Sequence, residues 1–211
     1  MLMRSLLFGV LLTIVLAVSG CATLTRQDFK SVTPPISVAW QKTPDLRAPT
    51  WASVILTTFG GIVTAPIGAI VEGQSTKELK EKIVIPDIGF EVASRYMSIW
   101  REKGTAPEMV LLQFPIENDH KFPGASIDFK FKHYFIGADG GLLAHCKITM
   151  KDNSGRTIHG SWKMFVSQEG KRLSRDKFMD DNGKLLVEEI KVASQYLANE
   201  FVKEILSELS K

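Results

Sequence analysis

Residues 126–136 read Ser-Ile-Asp-Phe-Lys-Phe-Lys-His-Tyr-Phe-Ile, with Ile127, Phe129, Phe131, His133 and Phe135 on one side of a two-residue period. Ser126, Asp128, Lys130 and Lys132 fall on the other side. Successive strand side chains point to opposite faces, so this pattern predicts a strand with one face on a core and one in water. After the turn residues Ala138-Asp139-Gly140-Gly141, alternation resumes, with Leu142, Ala144, Cys146, Ile148 and Met150 on one side and Leu143, His145, Lys147 and Thr149 on the other. Beyond Asp152-Asn153-Ser154-Gly155, a third strand carries Ile158, Gly160, Trp162, Met164 and Val166 on its apolar side. Even-numbered residues share a face across this hairpin only if paired positions sum to an even number. A type I turn with Gly155 as a left-handed bulge supplies that register.

Elements on either side complete the domain. Upstream, Asp87 is placed to cap a helix over about residues 88–103, where Val92, Ala93, Tyr96, Ile99 and Trp100 recur at spacings of three and four and Gly104 supplies the stop. Ile83-Val84-Ile85 reads as a short strand after the solvated stretch 76–82, and Met109–Phe114, nearly all apolar, as a strand covered on both faces. Downstream, Asp180-Asp181-Asn182-Gly183 turns the chain into a helix over about 185–209, with Leu186, Ile190, Ala193, Leu197, Phe201, Ile205 and Leu209 in one stripe. This order predicts an α/β fold, an α+β sandwich with a mixed, mostly antiparallel sheet and helices packed on one face.

The amino terminus is of a different kind. Arg4 precedes an uninterrupted apolar run from Leu6 to Val18, the layout of an export signal over residues 1–20. The run ends at Val18-Ser19-Gly20-Cys21, which resembles the lipobox of bacterial lipoproteins. That resemblance implies cleavage between Gly20 and Cys21 and acylation of Cys21. Several acyl chains on one residue exceed the marginal binding of a single chain, since each buried methylene contributes about 0.8 kcal/mol. Membrane lipid is then a partner through Cys21. Ala22 follows, where an Asp is the lipoprotein family's signal for retention in the inner membrane, so the expected location is the periplasmic side of the outer membrane, with the inner membrane as the alternative. The alternative is an ordinary signal peptide or uncleaved anchor that ends in a cysteine.

Without residues 1–20, 191 residues remain, which suit a single globular domain, residues 74–211, and a tether. Only Arg4 leaves with the signal, so 25 of the 26 basic residues remain against 23 acidic ones, a net charge of about +2 that gives no support for nucleic-acid binding. Cys146 would then be the one cysteine left, without a disulfide partner. Residues 21–50 carry Pro34, Pro35, Pro44 and Pro49 among polar residues and read as a semi-rigid tether.

From Ala48 to Val71 there is no charged residue. At helical spacing Gly61, Ala65, Ala69 and Gly73 fall every four residues, with Gly60, Thr64 and Gly68 one position behind, a glycine-zipper pattern that lets backbones approach closely. The length suffices for a bilayer span, but Pro66 and the glycines interrupt it. A buried or membrane-surface hairpin, intermolecular packing and bilayer contact all stay open for segment 51–73, and Gly60, Gly61, Ala65, Gly68, Ala69 and Gly73 are its candidate interaction residues.

The element order, the hairpin Asp152-Asn153-Ser154-Gly155-Arg156-Thr157-Ile158 before a Trp-containing strand, and the closing helix through Ala193, Leu197 and Phe201 resemble lipoproteins with a TolB amino-terminal-like domain. These include auxiliary lipoproteins of envelope ABC transport systems. The resemblance covers about residues 82–209 and implies a non-catalytic adaptor. Enzymatic signatures are missing: there is no G-x-S-x-G, H-E-x-x-H, C-x-x-C, P-loop or G-x-G-x-x-G. His145 and His159 fall on the same polar face of the expected hairpin without an evident third metal ligand, and Asp180, Asp181, Glu188 and Glu189 sit where turn or helix-start acids belong. No catalytic residue, metal or cofactor is expected. The leading reading is a lipid-anchored binding or scaffold component of an envelope assembly or transport complex, with a protein partner or self-association. The alternatives are a lipid or glycan carrier with a cavity between helix and sheet, and a wall-modifying hydrolase.

Overall fold

The computed structural model describes residues 32–48, 74, 76–78, 80–104, 107–117, 120–137, 140–167 and 175–210. Five strands, β1 (Ile36–Trp40), β2 (Met109–Leu111), β3 (Ser126–Ile136), β4 (Leu142–Lys151) and β5 (Thr157–Val166), form one sheet in the order β2-β1-β3-β4-β5. β1 is parallel to both of its neighbours, whereas β3, β4 and β5 are antiparallel in sequence. Two long helices, α1 (Ile88–Glu102) and α3 (Lys184–Leu209), pack on one face and against each other, with the short α2 (Arg175–Met179) and a 3-10 turn (Asp180–Gly183) before α3. The fold is the expected α+β class.

The interior strand β1, between β2 and β3, overturns the tether reading. Ile36, Val38 and Trp40 are buried, and residues 46–48 return to bond the end of β3 through Arg47. The prolines do not mark an extended spacer; Pro34, Pro35 and Pro44 lie outside β1, where a missing N–H costs no ladder bond. Residues 21–50 therefore contribute a core strand to the domain. Ile83-Val84-Ile85 forms no strand, although residues 80–82 are helical. Met109–Phe114 is not covered on both faces either: β2 is an edge strand of three residues, with Val110 exposed and Phe114 76% exposed.

Asp87 joins the sheet to α1. Its carboxylate accepts from Gly89 N at 2.9 Å, from Trp40 Nε1 at 2.9 Å and from Thr43 Oγ1 at 2.8 Å. A β-carbon on Gly89 would lie 2.7 Å from the Trp40 ring, so the absence of a side chain lets the first turn of α1 approach the end of β1. Asp87→Ala is expected to cost about 2 kcal/mol, the upper range for a helix cap, because it also leaves the Trp40 and Thr43 donors unpaired. Urea unfolding checks this, and a loss under about 0.5 kcal/mol would show that water replaces all three bonds.

Two bulges set which side chains face the helices. In β3 the register shifts between Phe131 and His133, so Tyr134 and Ile136 turn inward while His133 and Phe135 turn outward, against the expected unbroken alternation. At the β4–β5 turn, Gly155 has φ +82° and Lys151 pairs with Thr157, the anticipated turn and register. Ile158 is then an extra residue, and from Met150 opposite His159 onward every even position of β4 faces an odd position of β5. His159, Ser161, Lys163 and Phe165 consequently share the helix-facing side. Trp162, Met164 and Val166, expected in the core, lie on the opposite side, which no helix among the described residues covers and which is helix-free in that sense.

Candidate functional site

The helix-free face of β5 presents Trp162, Met164 and Val166 at 42%, 54% and 39% exposure. Opposite them on β4 stand Lys147, His145 and Leu143, and beyond these on β3 stand Lys130, His133 and Phe135. The His145 ring is 4.6 Å from that of Trp162 and stacks at 5.8 Å on that of His133, while the Lys147 ammonium lies 5.9 Å from the Trp162 ring. Partial burial, then the nearby charges of His133 and Lys132, hold His145 below the usual imidazole range. The row is thus aromatic and apolar at its edge, with lysines behind it. β5 ends the sheet, so its outer backbone groups have no strand partner among the described residues. Around this edge, Val192 and Tyr196 of α3 are exposed as well, with the Tyr196 ring 5.7 Å from Phe165.

The same parity change separates His145 from His159, which the even register placed on one face. His145 pairs with Met164 on the open side, whereas His159 is buried beneath α3. There Glu204 accepts from Ser161 Oγ at 2.7 Å and from the Lys163 ammonium, with His159 Nε2 at 3.6 Å, too far for a hydrogen bond. Burial raises the Glu204 carboxyl, but the bonds from Lys163 and Ser161 outweigh it and leave the group below its ordinary range. Among the described residues no three His, Cys, Asp or Glu side chains cluster as a metal site.

His159 is held below the imidazole range by burial, in opposition to Glu204 and Glu208 and assisted by Lys163. Its folded pKa lies below the unfolded value of 6.5, so the unfolded chain takes up the proton first as pH falls. Its contribution is therefore complete above pH 6.5 and lost progressively as pH falls through the folded value. His159→Leu is expected to flatten the fall in unfolding free energy between pH 7 and 5. An unchanged slope in urea titrations across that range would assign the effect to other groups.

Of the remaining candidates, Cys146 is buried with its thiol pushed well up by burial, as a core residue rather than a nucleophile. Glu189 accepts from the Ser167 hydroxyl, and Glu188 is exposed on α3. Gly20, Cys21, Gly60, Gly61, Ala65, Gly68, Ala69 and Gly73 lie outside the described residues. No helix among the described residues is long and apolar enough to cross a membrane.

No family model matches the chain, and no curated protein does. Among solved structures, a Xanthomonas campestris protein of family DUF330 is 7% identical, with 85% of this chain and 95% of that one covered at a TM-score of 0.41. The PelC dodecamer from Paraburkholderia phytofirmans is 12% identical, with 76% and 93% covered at a TM-score of 0.30.

The Trp162 row escaped sequence reasoning because an alternating apolar strand looks the same whichever face it buries. The one signal for it was the polar set His159, Ser161 and Lys163 on the opposite side, which could equally be solvated.

Proposed function

We propose that the chain is a lipid-anchored, non-enzymatic envelope protein that binds a protein partner, or a second copy of itself, in a cell-envelope assembly. The observation that carries this reading is the exposed Trp162, Met164 and Val166 row on β5, whose outer edge has no strand partner among the described residues. Large aromatic residues at the centre of an exposed apolar patch are the usual anchors of protein interfaces, and a sheet edge offers backbone bonds beside them. The lipobox-like Val18-Ser19-Gly20-Cys21 supports the anchor, and the auxiliary-lipoprotein resemblance fits an adaptor role. The carrier reading loses support because Tyr96, Trp100, Phe129, Phe178 and Phe201 fill the space between helices and sheet.

The test is affinity purification from gently solubilised envelopes of the native chain, Trp162→Ser/Met164→Ser and Cys21→Ser. Both serines replace exposed side chains, and an unchanged urea midpoint of the double variant separates loss of binding from loss of fold. A defined partner or oligomer retained by the native chain and lost from the double variant supports the interface. Cys21→Ser should leave the membrane fraction. Native protein that purifies alone, or a partner indifferent to the double variant, overturns the reading.

A further inference from the structure

Two imidazoles and a thioether stand side by side across three strands of the open face. His133 on β3 pairs with His145 on β4, and His145 pairs with Met164 on β5. The two imidazole rings stack 5.8 Å apart. His133 is exposed, His145 is partly exposed and Met164 is 54% exposed, so all three reach solvent.

Both bulges are needed to assemble this row. In an unbroken β3, His133 would share the helix-facing side with Phe129 and Phe131, and the bulge after Phe131 turns it outward. Without Ile158 as an extra residue, Met164 would share the helix-facing side with Cys146 and Ile148. Bulges re-aim side chains and gather near functional sites, and here two of them in different strands serve one row.

The donor set selects the kind of ion. Imidazole suits several transition metals, whereas a thioether is a soft donor that favours Cu(I). Partial burial, then the charges of His133 and Lys132, hold His145 below the usual imidazole range, so at neutral pH it offers a lone pair without displacing a proton. The flanking rows, Lys130-Lys147-Trp162 and Phe135-Leu143-Val166, bring no carboxylate, and Asp128 farther along β3 is buried against Lys151. A dication would therefore meet Lys132 and Lys147 with no acid to offset them, and a monocation meets half that repulsion. The Trp162 ring, 4.6 Å from that of His145, adds a π face that attracts a cation.

The spacing is within reach of one ion. Imidazole nitrogens bind a metal at about 2 Å, so two of them on one ion stand up to about 4 Å apart. Nitrogens lie at the margins of the two stacked rings, and rotation of exposed side chains, which is fast, brings one from each together. Met164 adds three rotatable bonds for its sulfur to follow. We propose that His133, His145 and Met164 form a surface site for a soft monovalent metal ion, Cu(I), with Trp162 beside it. The site does not rest on the assembly reading: His133→Ala and His145→Ala leave the Trp162 row in place, so metal binding and partner capture are scored on different variants.

Anaerobic titration of the full chain in detergent with Cu(I), in competition with bathocuproine disulfonate, measures the affinity, and Zn(II) is titrated separately. His133→Ala and His145→Ala should each weaken Cu(I) binding at least about tenfold, since even an outer partner of a metal ligand is worth that much. Met164→Leu should weaken Cu(I) about tenfold and leave Zn(II) unchanged, a split that a structural role for the thioether would not produce. Cu(I) should quench tryptophan fluorescence in the native chain and far less in Trp162→Phe. All of these substitutions lie on the open face, and unchanged urea midpoints show that the fold is kept. A native chain that takes no Cu(I) from the competitor, equal Cu(I) affinity in the native chain and the three ligand variants, or equal loss of Cu(I) and Zn(II) on Met164→Leu would overturn the site.

Discussion

Phe129→Ala is expected to lower the unfolding free energy by about 3–5 kcal/mol, the range for truncating a large buried ring. Phe129 is fully buried in the first half of β3, with its ring 5.3 Å from Tyr96 of α1 and 5.8 Å from Phe201 of α3. It is the point where the sheet meets both long helices. Removal leaves a cavity bordered by all three elements, and a void shared by rigid elements collapses poorly. A domain of this size has about 5–15 kcal/mol of stability in total, so the variant would be close to unfolding. Urea denaturation with the slope held common to both proteins measures the loss. A loss under about 1.5 kcal/mol would mean that the helices close over the gap and that the aromatic cluster is not the keystone of the core.

Gly183→Val is expected to cost about 2–5 kcal/mol, the second-largest effect, for two separable reasons. Gly183 has φ +76°, a left-handed conformation that costs a side-chain-bearing residue about 1–2 kcal/mol. A β-carbon there would also meet Ile83 Cγ2 at 2.4 Å and its Cδ1 at 2.6 Å, so overpacking adds about 1–3 kcal/mol. Gly104 provides the control, because it has φ +67° and nothing within 4 Å of the added carbon. Gly104→Val should show the backbone cost alone. If the two variants lose the same stability, Ile83 moves aside freely and the packing part of the argument fails.

Ile83 in this contact also shows what sequence periodicity conveys. The helices were legible because their stripes are long: Leu186, Ile190, Ala193, Leu197, Phe201 and Ile205 lie buried where the spacing put them. Asp87 and Gly104 were legible because capping is local chemistry. β1 was not, because five residues between prolines carry too short a pattern to outweigh those prolines, and its partners lie about 70 and 90 residues downstream. The faces of β5 were misread for a different reason. Parity is exact until one extra residue reverses it, and nothing in the identity of Ile158 announces a bulge. The candidate site inherits that limit, because the Trp162 row needed the register of β5, which only the folded chain sets.

The place of β1 has a mechanical consequence. A pull on residue 32, directed along β1 and away from the domain, does not peel a strand from an edge one bond at a time. Both neighbours run parallel to β1 and hold it from either side, with Ile36 N donating to Glu108 O and Ser37 N donating to Ala125 O at the entry. The load therefore falls in shear on both ladders together, and release requires many bonds to break at once. Forced rupture is governed by the unfolding barrier rather than by equilibrium stability. A chain drawn on from its amino-terminal side meets that barrier at the first strand.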